Sequence, residues 1–260
     1  MTFHHTAKLL SIGLLSLLSG CATTSQVSDA NDPYQGWNRN VQTFNDHFDD
    51  YVMKPTAKGY QWLMPDFADQ GISNFFSNLS DIGVTANDAL QGKFAQSGSD
   101  GARFLLNTTA GVGGFVDVGS MLDLPKHNED FDQTLGFWGG GTGPYLVLPF
   151  FGPSSVRGVV GLVGDAAMNP ISYTGIYFSS NGLASAVSGG LGLLKAVDYR
   201  ADNLGKEKVV SEAALDRYDF FKNAYFSNRN YLVKDGNVPE EDVLKFEKED
   251  GKDLGPVSPY

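Results

Sequence analysis

Residues 32–55 read DPYQGWNRNVQTFNDHFDDYVMKP, and this stretch decides the fold class. Trp37, Val41, Phe44, Phe48 and Tyr51 recur at steps of four, three, four and three. That spacing places apolar side chains on one face of an α-helix. Asp32 suits the N-cap, Pro33 the first helical position, and Gln35 completes a capping-box pattern. Pro55 is expected to end the helix, because an interior proline removes a hydrogen bond and crowds the preceding turn.

Working outward, helical patterns continue. One follows Pro65 through Ala68, Ile72, Phe75, Phe76 and Leu79; the next runs from Asp81 through Ile82, Ala86, Ala89 and Leu90 and stops at Gly92. A fourth starts near Ser99 and contains Ala102, Arg103, Leu105 and Leu106. Residues 111–118 are apolar and glycine-rich, without an assignable period. Residues 139–153, GGGTGPYLVLPFFGP, interrupt the helical pattern. Their short β-like run, Tyr145 to Leu148, lies between glycine and proline punctuation, as in a hairpin or hinged loop.

Val156 to Met168 reads as a helix carrying Gly158, Gly161 and Gly164 at intervals of three. Each helical glycine costs about 1 kcal/mol relative to alanine. Three together point to close helix contact, in a membrane-like setting or in a tightly packed soluble core. Residues 182–197, GLASAVSGGLGLLKAV, repeat the theme. Neither run is long enough to span a bilayer, which leaves open helices lying in the membrane interface. A last helix is expected from about Glu207 to Tyr231, with Val209, Val210, Ala213, Leu215, Tyr218 and Phe221 among its apolar positions. Residues 236–260 are charged and then proline-rich, as in a solvated, disordered tail.

Upstream, Lys8 precedes an apolar run, LLSIGLLSLL at 9–18, followed by Ser19-Gly20. This is the anatomy of a secretory signal peptide. Cys21, the only cysteine of the chain, stands at the cleavage point in a Leu18-Ser19-Gly20-Cys21 phrase that resembles the bacterial lipobox. Lipidation of Cys21 is therefore expected, with residues 1–20 removed and residues 21–31 acting as a flexible tether. Ala22 follows the cysteine rather than Asp, which by resemblance to the usual sorting pattern favours the outer membrane. Several acyl chains are needed for stable anchoring.

The formal net charge is −11, and loss of the signal segment removes a lysine and no acid. An acidic chain repels nucleic acid and anionic surfaces at long range, so membrane contact must be apolar or lipid-anchored. One cysteine excludes an internal disulfide.

Residues that would carry catalysis are scarce. Downstream of Cys21 the histidines are His47, on the polar side of the first helix, and His127, in the charged KHNED loop. Both read as solvated, as do Glu129-Asp130 and Glu240-Glu241. No cluster has metal-ligand spacing. The G-x-S-x-G elbow of a lipase is missing at Ser154-Ser155, and the 139–143 loop lacks the P-loop lysine. The expectation is a protein without covalent chemistry and without a cofactor beyond the lipid on Cys21.

An ordered set of phrases resembles the MlaA (VacJ) family of outer-membrane lipoproteins. It comprises Asp32-Pro33, Trp37-Asn38-Arg39, Phe44-Asn45, Lys54-Pro55, Ser73-Asn74-Phe75, Asn78-Leu79, Leu90-Gln91-Gly92 and Arg103-Phe104. It continues with Asn107-Thr108-Thr109, Gly113 to Asp117, Asp130-Phe131, Gln133 to Gly136, Gly143-Pro144-Tyr145, Leu148-Pro149 and Gly152-Pro153. Asp132 departs from the glycine usual in the family, which puts the local backbone in question. The resemblance implies a mainly α, ring-shaped domain over 32–235, with amphipathic helices in the plane of the outer membrane's inner leaflet. It further implies a hairpin-like loop and a central amphipathic channel facing the periplasm. Implied partners are phospholipid, a trimeric porin and a periplasmic lipid carrier; the alternative is a structural lipoprotein that scaffolds porins.

Within that resemblance, the Phe-rich faces of 37–52 and 67–79 are either interfacial or ordinary core. Gly139, Gly141 and Gly143, with Pro144 and Tyr145, are expected to form a hinge that gates the lipid path, against the alternative of a plain tight turn. Arg103 and Asn107 lie one helical turn apart and are expected to hold structure rather than a headgroup.

Overall fold

The computed structural model describes residues 32–172, 182–206 and 216–238. Cys21, the signal segment, the tether and positions 239–260 lie outside the described residues. The fold is mainly helical, with a single two-stranded sheet among the described residues.

Helix α1, Gln35–Phe48, shows the expected periodicity. It is not capped by Asp32: Tyr34 occupies the N-cap without a side-chain bond. Asp32 is instead buried, accepting from Asn38 Nδ2 at 2.9 Å and from the Tyr218 hydroxyl at 2.5 Å. Nor does Pro55 break the chain. A π-helical turn, Asp49–Met53, widens the hydrogen-bond register, and the Lys54 N–H reaches back to the Asp49 carbonyl. Pro55 then falls in the first turn of α2, Lys54–Leu63, where its missing N–H costs least.

The two helices expected around residue 80 are one, α3, Asp66–Leu90. Its 25 residues span about 37 Å at 1.5 Å per residue. The apolar period fails midway because the buried face becomes polar: Asn78, Asp81, Asn87 and Asp88 all point inward. Gly92, at φ +77°, turns the chain into α4, Phe94–Thr109, which packs back along α3. The unassigned 111–118 segment is a series of tight turns leading to the short helix α5, Val118–Met121.

Helix α6, Phe131–Phe137, is capped by Asp130. Strand β1, Tyr145–Leu148, pairs antiparallel with β2, Gly152–Ser155, in the register Tyr145↔Ser155. Helix α7, Val156–Met168, follows, capped by Ser155. Its glycines mark a close contact with α6: a Cβ at Gly161 would lie 2.7 Å from Asp132 Cβ, and one at Gly164 would enter the Phe131 ring. Helix α8 spans Gly182–Asp202. The last helix, α9, is Arg217–Val233, with Asp216 in extended conformation as its N-cap. Of the helix expected over 207–231, the part from Arg217 onward is present, and Val209, Val210, Ala213 and Leu215 lie outside the described residues.

The apolar core is small: Val41, Tyr145, Val147 and Tyr218, with Tyr225 and Phe226 packed against it. Among the described residues, buried polar and charged side chains outnumber buried apolar ones about two to one. Large apolar side chains stand outside on most elements, including Trp37 and Phe44 of α1, Tyr51 of the π-helical turn, Trp62 of α2, Phe67 of α3 and Phe94 of α4. Trp62 is 88% exposed and Phe67 79%. None of the described helices is long and apolar enough to cross a membrane.

Candidate functional site

A soluble domain normally hides its apolar groups and limits exposed apolar patches. Here the distribution is reversed, so the polar interior is where a site is to be sought. A cavity of about 400 Å³ lies inside it, within the range of about 300–1,000 Å³ usual for small-molecule sites.

Helix α3 supplies one wall through Leu79, Ser80 and Val84. The loop into α6 supplies Glu129 and Asp130; α7 supplies Asp165, α8 Lys195, and α9 Arg229 with Leu232. Apolar and charged surface thus share one cavity. Arg229 is committed to Asp130 at 2.5 Å and Asp132 at 3.4 Å. Glu129 accepts from Lys93 at 2.9 Å and Gln91 at 2.9 Å. The Asp130–Glu129 pair is therefore bonded inside the fold, not solvated.

Lys195 and Asp165 differ from these. Lys195 reaches the Ser80 hydroxyl at 3.5 Å and pairs with no carboxylate among the described residues. Burial, and then the neighbouring positive charge of Lys126, lower its pKa. Asp165 accepts the Phe131 N–H at 2.8 Å, interacts with the Asn87 side chain and feels the Arg229 charge, but makes no close ion pair among the described residues. Burial pushes its carboxyl up to about 6 despite that hydrogen bond. Neither residue was singled out from sequence. The signal was present: each is the lone charge in a glycine-rich apolar segment, Lys195 within 182–197 and Asp165 within 158–168.

The glycine loop does not contribute to the walls of this cavity. Gly139 and Gly143 take φ of +89° and +74°, conformations that favour glycine; Gly141 takes no such angle, and a Cβ there would meet nothing. Pro144 is half-buried and Tyr145 fully buried, edge-on to Tyr218 at 5.8 Å between centroids. Arg157 connects loop and cavity: its Nη1 donates to the Gly140 carbonyl at 2.9 Å and its Nε to Asp132 at 2.7 Å. Asp132 is also the partner of Arg229. It sits in helical conformation with φ below zero, so no glycine is needed there.

Two asparagines fix the hairpin. Asn38 Nδ2 donates to the Tyr145 carbonyl at 3.0 Å, and its Oδ1 accepts the Val147 N–H at 2.8 Å. Seven residues on, Asn45 repeats the pattern on Leu148 at 2.9 Å and Phe150 at 2.8 Å. Phe44 and Phe48 stand edge-on to Phe150 at 5.3 and 4.9 Å. Arg39 pairs with Asp216 and lies over the Tyr218 ring, tying α1 to α9. Pro33 precedes α1 on the surface.

The remaining motif residues brace the α3–α4 pair. Asn74 donates to the Phe115 carbonyl at 3.1 Å, and the Phe75 ring packs at a tilt against Phe115, 5.5 Å between centroids. Arg103 holds Asp117 with two bonds of 2.9 Å and also reaches the Leu124 carbonyl. Asn107 accepts the Gly119 N–H at 2.8 Å and donates to Asp117. Burial raises the Asp117 carboxyl, but hydrogen bonds from Ser120, Arg103 and Asn107 outweigh it and bring the pKa down to about 2. His47 is exposed as expected, whereas His127 is not merely solvated: its Nδ1 lies 2.9 Å from the buried Asp100.

Comparison with known proteins agrees with this architecture. The family model for the MlaA lipoprotein matches residues 30–232. The intermembrane phospholipid transport system lipoprotein MlaA of Escherichia coli K12 is 32% identical over 232 residues, covering 87% of this chain and 88% of that protein. The same-named protein of Haemophilus influenzae is 34% identical over 242 residues, covering 88% and 93%. A solved structure that provides a basis for maintenance of bacterial outer membrane lipid asymmetry superposes with a TM-score of 0.66 at 30% identity. It covers 78% of this chain and 98% of the solved one. With the family model, the curated relatives and the solved structure in agreement, this chain belongs to the MlaA lipoprotein family.

Proposed function

We propose that this protein moves phospholipid across the periplasmic side of the outer membrane without covalent chemistry. It takes mislocalised lipid from the outer leaflet and passes it through its polar interior to a periplasmic carrier. One observation carries this reading: large apolar side chains stand exposed on most elements, while a half-open cavity between them is lined by charged and apolar groups together. Apolar side chains outside suit a hydrocarbon surround, and described helices that are not long and apolar enough to cross a membrane suit residence in one leaflet. A lipid headgroup needs a polar route through that surround, because an unsatisfied polar group in hydrocarbon costs several kcal/mol. The relatives' naming as components of an intermembrane phospholipid transport system supports the same substrate.

In this reading Cys21 carries the lipid anchor, the helices form a ring in the inner leaflet, and a porin trimer is the membrane partner. The 139–145 loop gates the path through Arg157, which joins Gly140 to the Asp132–Arg229 pair at the cavity.

The direct test is chemical. Protein extracted from membranes in mild detergent should retain phospholipid after gel filtration and release it intact. Protein that carries none, and takes up none from doped micelles, contradicts the proposal. Release of free fatty acid would indicate a hydrolase instead.

A further inference from the structure

We infer that the cavity selects zwitterionic phospholipid, with Lys195 taking the phosphate and Asp165 taking a primary ammonium. This inference rests on reading the cavity as a phospholipid site.

The cavity holds charges of both signs, but most are already neutralised. Arg229 is bound by Asp130 and Asp132, and Glu129 by Lys93. What remains among the described residues is one cation and one anion, Lys195 on α8 and Asp165 on α7. They face the same space from different helices. Each is the one charge of an apolar, glycine-rich segment and, half-buried, lacks a close ion pair among the described residues, which leaves its charge only partly compensated. A ligand bearing one negative and one positive group would satisfy both at once. A phosphoethanolamine headgroup has that chemistry: the phosphate offers oxygens to an ammonium donor, and its own ammonium offers three donors to a carboxylate. Phosphatidylglycerol could meet Lys195, but it brings hydroxyls and no positive charge to Asp165. Leu79, Val84 and Leu232 on the cavity wall provide for the adjoining apolar part.

Burial supports the assignment. It pushes the Asp165 carboxyl up to about 6, and a nearby ammonium would hold it ionised.

The test uses the full chain in detergent micelles doped with equal parts phosphatidylethanolamine and phosphatidylglycerol. Bound lipid is counted by mass spectrometry after gel filtration. Wild-type protein should enrich phosphatidylethanolamine about tenfold, the order of one charge-assisted hydrogen bond. Asp165→Asn should bring the ratio toward one, and Lys195→Gln should lower recovery of both lipids. N-acetylated phosphatidylethanolamine, which lacks the ammonium, should lose the advantage on wild-type protein, so the test stands even if a variant misfolds. A wild-type ratio of one, or full competition by the N-acetylated lipid, overturns the selectivity while leaving transport intact. Absence of any bound phospholipid overturns both.

Discussion

The side-chain oxygen of Asn38 accepts the backbone N–H of Val147 at 2.8 Å, across 109 positions of chain. With its Nδ2 on the Tyr145 carbonyl, Asn38 acts as a third strand for the free edge of β1. A two-stranded hairpin alone is marginal in water, and an edge with unpaired backbone groups invites misassociation. The helix answers both problems with one amide at Asn38 and a second, two turns later, at Asn45.

Replacing Asn38 by alanine should leave the Val147 N–H and Tyr145 C=O buried without partners. The expected loss is roughly 2–4 kcal/mol, read as a lower denaturation midpoint. Asn38→Asp keeps the acceptor but loses the donor and adds a charge beside Asp32, so it should be no milder. Asn45→Ala should cost less, because Phe150 is exposed. Equal, negligible effects for all three would show that the hairpin is held by other means.

Gly161 and Gly189 should separate cleanly. A Cβ at Gly161 meets Asp132 at 2.7 Å, backbone included at 2.8 Å, whereas at Gly189 nothing lies within 4 Å. Gly161→Ala is expected to destabilise by about 1–3 kcal/mol through overpacking. Gly189→Ala should be neutral or stabilising by up to about 1 kcal/mol. Thermal melts of the two single variants decide it; the reverse order would contradict the α6–α7 contact.

These contrasts mark what the sequence could disclose. The face of α1 was legible because Trp37, Val41, Phe44, Phe48 and Tyr51 keep a local period. The glycines of α7 were legible as a close contact, although not what they touch. Helix α3 was split in two because a reader of apolar period expects apolar burial, and Asn78, Asp81 and Asp88 bury polarity instead. The partners of Asp32 and His127, Tyr218 and Asp100, are joined by the fold and not by spacing. Pro55 misled because the π turn before it lies in backbone register, which residue type does not announce. The cavity pair Lys195 and Asp165 required three helices to be placed before it existed.

Asp88 and Asp100 give a pH dependence. Burial, and then the hydrogen bond and charge of Asp100, raise the Asp88 carboxyl to about 7 from an ordinary 3.8. Asp88 Oδ2 and Asp100 Oδ1 have no other donor, which is the arrangement of two carboxyls sharing a proton. The folded form then binds protons more tightly than the unfolded chain, so this contribution is present at low pH and lost as pH rises toward 7. Stability from this site should decline between about pH 4 and 7, and Asp88→Asn should flatten the profile. A wild-type and variant profile of equal slope would contradict the shared proton.

The loop reading is tested at Gly141, where side-chain room is ample and φ lies outside the left-handed region. Gly141→Pro should leave expression and melting temperature near wild type while lowering phospholipid clearance severalfold, because proline stiffens the segment between Gly139 and Gly143. Clearance at the wild-type rate would reduce the loop to a plain turn.

The most direct measurement is surface labelling of phospholipid on cells lacking this gene, complemented with the intact protein or with Cys21→Ala. Intact protein should clear label-accessible phospholipid from the outer leaflet, and the unanchored variant should not. Surface phospholipid that is the same with and without the intact protein would contradict transport and favour a scaffolding role.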